Sequence, residues 1–446
     1  MFSPWTLFVD VGIISCLLLL GKLIRVKFRF AQQYFIPPSL IAGFLGLAFG
    51  PGGVGWLPMS NQLGTYAGIL IALIFGCLPF SSAKSGDKQG ENIGRMWAYS
   101  QTGMLFQWAF GGLLGFLVLS HIWPLESFFG LSMPAGFCGG HGTAAAIGQS
   151  FLKVGSEDML TLAMTAATVG ILASVFIGLA LVKWGTKRGY TNFITDFSDL
   201  PDELRTGLMP AEKRESMGEA TSSSISIDSL AFHVCIICMV ALGGYGISQG
   251  VAYFLPQLEM PVFSCAFVVG ILLKFCFDRA KVTFFISPKA MGHLSGTFTD
   301  FLVAFGISSI KLSVVMQYLV PLLILLVCGL VATLCYVLFI GKRLMKDYWF
   351  EKALFTWGWF TGTMAMGIAL LRIADPDMRS RCLENYALAY LFIAPVEICL
   401  VTFAPVAFVN GYGLIFLGIA AVAGCGIMAY AGSRGWLKAT PRRTQE

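Results

Sequence analysis

Two glycine-rich stretches carry the residues best suited to chemistry. Residues 137–148 read "FCGGHGTAAAIG", and residues 359–370 read "WFTGTMAMGIAL". Glycine permits turns with positive φ and lets the backbone itself approach a ligand. Helix N-termini beside such turns offer N–H groups to a carboxylate, and exposed carbonyls and threonine hydroxyls are oxygen ligands suited to Na⁺. Gly139, Gly140, His141, Gly142, Thr143, Thr361, Gly362 and Thr363 are therefore candidate substrate contacts. Asp300, Ser308, Thr143 and Thr363 are candidate ion ligands, Asp300 and Ser308 standing in "GTFTDFLVAFGISS". Asp300 and Glu397 lie well inside apolar runs, where a carboxylate is costly enough to be functional by default. Two readings stay open for His141: a group that bonds substrate or carries a proton, or a neutral ring that fixes the turn through a backbone carbonyl. Glu397 is either a functional carboxylate or a group that satisfies backbone freed by Pro395.

The elements that must hold these residues are membrane helices. The chain has 446 residues, is 56% hydrophobic and only 12% charged, and has a mean hydropathy of +0.75, which excludes an ordinary soluble domain. Apolar runs long enough for about 30 Å of hydrocarbon, roughly 20 residues each, recur from end to end. Spans are expected near 5–21, 36–50, 63–80, 96–119, 157–182, 230–255, 261–277, 292–310, 314–340, 383–407 and 412–431. The first begins at Trp5 with no basic residue before it and no small-residue cleavage site after it, so it reads as a span and not a removable signal peptide. The twelve cysteines are scattered through apolar segments and read as packing or lipid-facing residues. The net charge of +6 follows the topology and gives no reason to expect nucleic acid.

The glycine-rich segments 130–153 and 354–374 either cross the membrane or dip in and return. If both return, 28 of the 30 Lys and Arg share one side, leaving Lys153 and Lys311 opposite. If both cross, the bias vanishes. The positive-inside rule selects the re-entrant arrangement, with eleven spans, the N-terminus outside and the C-terminus in the cytoplasm. Arg372 and Lys153, just past the two turns, either attract an anion or form solvated flanks. The polar stretch 183–229 reads as a cytoplasmic linker.

An internal repeat sets the order of the elements. "YFIPPSLIAGFLG" at 34–46 overlays "LEMPVFSCAFVVG" at 258–270, with proline at the same place and glycine nine residues later. "LGTYAGILIALIFG" at 63–76 faces "LSGTFTDFLVAFG" at 294–306, and Gly142-Thr143 overlays Gly362-Thr363, which puts Thr361 opposite His141. Five spans per unit make an odd number of crossings, so the second unit is inverted. Such repeats are an architecture of secondary transporters, with sites at the midplane where broken elements meet. The expected fold is an all-α polytopic membrane protein with about eleven transmembrane helices, two re-entrant hairpins and two inverted five-helix repeats. Its parts are a first repeat at 1–182, the linker at 183–229, a second repeat at 230–408, and an extra helix with a cytoplasmic tail at 409–446.

At "GGHGTAAAIG", preceded by "SMPAGF" and followed by "QSFLKVG", the chain resembles the bacterial sodium/glutamate symporters. The likeness runs on through "FIPPSLIAGFLG", "FTDFLVAFGISSIKL" and "FTGTMAMGIA", and so spans most of residues 5–408. The resemblance implies a Na⁺-coupled carrier of glutamate or a related small carboxylate in the bacterial inner membrane. It implies a homodimer surrounded by lipid, a mobile core that carries substrate past a scaffold as an elevator, and no organic cofactor. By position, Gly139 to Thr143 form one loop tip and Thr361, Gly362 and Thr363 the other. There are departures: "GTMAMG" replaces the family's usual Gly-Ala-x-Pro pattern, Asp300 stands where a small polar residue is expected, and helix 412–431 is additional. The rival readings are a proton-coupled carrier with Asp300 as the proton site, a carrier of a different solute, and a channel. No HExxH, paired Asp motif or activated serine suggests an enzyme.

Overall fold

In the computed structural model, the described residues are 3–34, 36–81, 90–153, 155–193, 206, 208–214, 216–222, 225–254, 260–375 and 378–437. Much of the linker 183–229 and the end of the tail lie outside them, as does the side chain of Lys153. The described residues are helical and contain no strand. The long helices are α1 (Pro4–Lys27), α2 (Pro38–Phe49), α3 (Leu63–Ser81), α4 (Gly90–Leu113), α7 (Asp158–Lys187), α8 (Ser229–Phe254), α9 (Val262–Ala280), α10 (Pro288–Ser308), α11 (Leu319–Leu344), α14 (Cys382–Val409) and α15 (Gly413–Ser433). Between α4 and α7 stand α5 (Ser132–Phe137) and α6 (Gly140–Lys153); between α11 and α14 stand α12 (Trp349–Thr361) and α13 (Met364–Ala374).

Each of the eleven spans expected from the sequence coincides with one long helix. Eight are long and apolar enough to cross a bilayer. The other three are shortened or charged: α2 has only 12 residues, α9 carries Lys274, Asp278 and Arg279, and α10 includes Lys289 and Asp300. Lys274 donates to the Pro79 carbonyl, so this cation is spent on the end of a helix. The chain is thus a multi-pass membrane protein with an all-helical fold.

The helix starts follow from local chemistry. Ser3 caps α1 in a reciprocal capping box with Thr6, and Ser287 caps α10. Pro37 and Pro261, the two prolines that the repeat alignment superposes, cap α2 and α9 with the same backbone angles, φ −61° and ψ 138°. Their partner glycines also make corresponding contacts. Gly46 of α2 packs on Ser308 of α10, while Gly270 of α9 packs on Gly76 and Pro79 of α3. Without a Cβ, each lets two helix backbones approach closely, which is where membrane helices gain packing energy.

Loop contacts join segments that the charge bias places on one side. Arg95 donates to the carbonyls of Leu344 (2.6 Å) and Trp436 (3.0 Å), and Asn192 donates its backbone N–H to Glu351 at 2.7 Å. On the other face, Lys311 pairs with Glu157 at 3.0 Å, and Tyr318 donates to Asp158 at 3.1 Å. Asp10, fully buried on α1, accepts from the Ser60 N–H (2.8 Å), the Ser60 hydroxyl (2.5 Å) and Tyr66 (2.8 Å), which ties the α2–α3 loop to α1.

Both glycine-rich segments form helix–break–helix hairpins. In the first, the rings of Phe128 and Phe151 stack at 4.2 Å, so the chain leaves beside the place where it entered. In the second, Gly358 and Gly367 meet: a Cβ on Gly358 would lie 2.5 Å from the Gly367 nitrogen. A continuous helix would separate residues nine apart by about 13 Å, so the segment must fold back.

Candidate functional site

The site is built where the two hairpin tips touch. In the first, α5 ends at Phe137, Cys138 is extended, and Gly139 and Gly140 take φ values of +98° and +63° before α6 continues. An L-residue resists that left-handed region by roughly 1–2 kcal/mol, so the double glycine is what makes the turn sharp. In the second, α12 ends at Thr361. Thr363 then caps α13, its hydroxyl accepting from the Met366 N–H at 3.4 Å. The tips are in contact, because a Cβ on Gly140 would sit 2.6 Å from the Gly362 carbonyl oxygen and 2.9 Å from Thr363 Cγ2.

This arrangement places the N-termini of α6 and α13 and the carbonyl ends of α5 and α12 in one small region. The N-termini carry partial positive charge and free N–H groups, and the opposite ends carry partial negative charge. A site of this kind can hold a carboxylate and a small cation side by side without a formally charged residue from either tip.

Helix α7 is the post on which both hairpins rest, and it is the most enclosed of the eight apolar spans. Gly136 of α5 packs on Ala166 and Ala167, Gly148 of α6 on Leu160, and the Thr361 carbonyl of α12 on Gly170. The second hairpin is also held from α4, where Gln107 Nε2 donates to Thr333 (2.8 Å) and to the Phe360 carbonyl (2.9 Å), one residue before the end of α12.

The structure places the candidate residues as follows. His141 is fully buried and bonds Thr168 of α7 through Nε2 at 3.1 Å, while its Nδ1 has no partner among the described residues. Thr143 is buried and donates to Glu397 of α14 at 3.5 Å. A Cβ on Gly142 would meet Ile71 of α3 at 3.0 Å. The Thr361 hydroxyl bonds back to the Trp357 carbonyl at 2.8 Å. Gly139, Gly140, Thr143, Gly362 and Thr363 come together. Ser308 and Asp300 lie apart from that cluster: the Ser308 hydroxyl donates to Ala304 at 2.7 Å and to Gly43 at 3.4 Å, and Asp300 is exposed beside Ser39 of α2. Arg372 is exposed.

Sequence reasoning passed over several buried polar residues of α4, α12 and α14. Ser100, Gln101 and Thr102 of α4, Gln107 Oε1, Trp357 Nε1 and the Tyr386 hydroxyl are buried polar atoms with no partner among the described residues. Buried polar groups are satisfied in nearly all native proteins, so water or a ligand is expected to complete them. The available signal was the polar run "YSQTG" at 99–103 inside an otherwise apolar span.

Comparison with known proteins gives the family. The sodium/glutamate symporter profile matches residues 7–368, most of the chain and both hairpin tips. The chain belongs to the sodium/glutamate symporter family. Membership makes it a membrane transporter and not an enzyme, within a family coupled to Na⁺. No curated protein sequence matches it. Among solved structures, the sodium proton antiporter MjNhaP1 from Methanocaldococcus jannaschii at pH 8 aligns over 93% of this chain and 99% of its own. The identity is 16% and the TM-score 0.37.

Proposed function

We propose that the protein imports glutamate or a related small carboxylate together with Na⁺, and that the substrate binds between the two hairpin tips. The observation that carries this reading is the contact of Gly140 with Gly362 and Thr363, which brings two helix N-termini to one point. The substrate carboxylate takes N–H groups at the start of α6 and α13. Na⁺ takes oxygens from Thr143, Thr363 and the carbonyls that end α5 and α12. Gly139, Gly140, His141, Gly142, Thr361 and Gly362 complete the substrate wall. Asp300 and Ser308, expected from the sequence to be ion ligands, stand apart from the tips and take no part in this site.

In this reading the hairpins are re-entrant, residues 1–182 and 230–408 are inverted repeats joined by the linker 183–229, and residues 409–446 add a helix and a cytoplasmic tail. The N-terminus is outside, in a bacterial inner membrane. A homodimer provides the scaffold past which α7 and the hairpins move as one body, since α7 is packed to all four hairpin arms.

Uptake of labelled glutamate into proteoliposomes tests the reading. An inward Na⁺ gradient should drive accumulation that equal K⁺ does not. Accumulation under a pH gradient without Na⁺ would replace the coupling ion. Folded protein that fails to accumulate glutamate, while other carboxylates are taken up, would replace the substrate.

A further inference from the structure

The two halves of α10 are built differently. From Leu302 to Ser308 every residue is buried, and α2 covers this half: a Cβ on Gly43 would meet Ile307 at 2.7 Å, and Gly46 packs on Ser308. α2 has only 12 residues, and Ser39 in its first turn stands beside Asp300. Toward the start of α10 the same stripe is uncovered. Lys289, His293, Gly296 and Asp300 recur every three or four residues and so share one face; each is exposed, as are Gly292 and Thr297. A Cβ added to Gly292 or Gly296 would meet nothing within 4 Å.

This bare half lies at membrane depth. Met291 of α10 shares an apolar cluster with Cys77 and Phe80 near the end of α3, while Ser309 lies against Gly64 at the start of α3, so the two helices run antiparallel along their lengths. α3 is one of the apolar spans. The stripe from Lys289 to Asp300 is about 16 Å long, half of a hydrocarbon core of about 30 Å. Polar and ionisable side chains at that depth face water or protein and not lipid. A second copy of the chain would have to bury a lysine, a histidine and an aspartate together, at a cost of several kcal/mol for each charge left unpaired.

The hairpins are equally one-sided. In α6, His141 and the residues from Thr143 to Gly148 are buried; in α13, Met364, Met366 and Ile368 are half-exposed and Arg372 is exposed. Both α10 and α13 reach the first tip: a Cβ on Gly306 would lie 3.7 Å from the His141 ring, and Gly362 touches Gly140. From there they part, α10 packing mainly on α3 and α2, and α13 on α12 and α7. Their far ends lie on the linker side, where the Glu219 N–H donates to Ser287 at 3.4 Å and Asn192 to Glu351. The other side is fastened by the Lys311–Glu157 and Tyr318–Asp158 contacts.

We infer that the first half of α10 and the bare side of α13 wall a water-filled vestibule, open to the linker side of the membrane, closed on the other, and reaching the second hairpin tip. Its side chains meet water and coordinate nothing, with Asp300 at its deep end. With the proposed substrate site, on which this clause alone rests, the structure is the state that exchanges substrate with the linker side.

Thiol labelling tests the vestibule without any substrate, so it stands or fails apart from the assignment of glutamate. A charged, membrane-impermeant maleimide is applied to sealed vesicles from each side, and the labelled residues are read by peptide mass spectrometry. Lys187→Cys marks the linker side and Glu126→Cys the other; the native Cys335 and Cys425, exposed in the middle of α11 and α15, report lipid. Thr297→Cys should label only from the side that labels Lys187→Cys, roughly tenfold or more faster than Cys335 and Cys425, because a thiol must ionise to react. A rate no higher than theirs, in vesicles whose markers react, overturns the vestibule: lipid or a second copy then covers the face. Labelling from the Glu126→Cys side overturns its sidedness. His293→Cys, one turn nearer the linker, serves if Thr297→Cys does not fold. In a second arm, labelling Thr297→Cys should abolish the glutamate exchange that the unlabelled variant retains. Undiminished exchange by the labelled protein would overturn the passage of substrate along this wall.

Discussion

The two hairpins make equivalent turns by different means. The second is braced along its length, by its own arms and by α4 and α7: its arms of 13 and 11 residues lie directly on one another through Gly358 and Gly367, Thr363 caps its own return helix, and Gln107 holds the end of α12. The first has an arm of only six residues, two consecutive left-handed glycines, and a tip held from outside by Thr168 of α7 and Glu397 of α14. A break stabilised from within moves as a unit, while a break stabilised by neighbours responds to whatever those neighbours do. The tip of the first hairpin would therefore follow any movement of α7 or α14.

Substitutions can break this comparison. The largest effect is expected at Gly140, where a side chain meets both a left-handed φ and the Gly362 carbonyl. Gly140→Val should reduce uptake by roughly a hundredfold or more, from backbone strain plus overpacking of a few kcal/mol. Gly362→Ala makes the contrast on the side of space, because a Cβ would approach Gly358 O no closer than 3.2 Å, against 2.6 Å from Gly140 to the Gly362 carbonyl oxygen. It should retain uptake within about tenfold of wild type. Equal losses at the two positions in initial-rate assays would erase the distinction between the tips.

Gln107→Leu should come next. It removes the donor to the Phe360 carbonyl and leaves Thr333 with one bond fewer, a cost of about 1–3 kcal/mol, read as a roughly tenfold rise in KM for substrate with protein yield maintained. Thr168→Val takes away the partner that His141 Nε2 has among the described residues and should cost about 1 kcal/mol, or several-fold in uptake. An increase in uptake would mean that this bond restrains the tip. The smallest effect is expected from Asp300→Asn, since Asp300 is exposed and away from the tips. The Na⁺ dependence of uptake should shift by less than about twofold, because Asp300 stands beside Ser39 and apart from the tips. A larger shift would put Asp300 on the ion path in a way that its position beside Ser39 does not suggest.

Much of this was legible in the sequence, unevenly so. Eight spans were readable because roughly twenty apolar residues have almost no other use, and the other three expected spans coincide with helices that are shorter or charged. The breaks at Gly139 and Gly362 were readable because glycine runs are poor helix formers and stand out in apolar surroundings. Gly46 and Gly270, and the prolines that begin their helices, were visible as a spaced pattern, although no spacing said what they would pack against. The polar run of α4 signalled an inward face, since an amide in hydrocarbon is costly, but nothing in the sequence said that Gln107 would meet Thr333 and the Phe360 carbonyl.

The sequence by itself determined that the chain lives in the bilayer, where its helices lie and where they break, since hydrophobic run length and backbone conformational freedom are local properties. Only the tertiary structure decided that the two breaks meet, that Glu397 closes on one of them, and that Asp300 and Ser308 stand apart from both. Those facts depend on which faces of α7, α10 and α14 turn inward. That choice is made by packing among helices separated by hundreds of residues, and no local pattern records it.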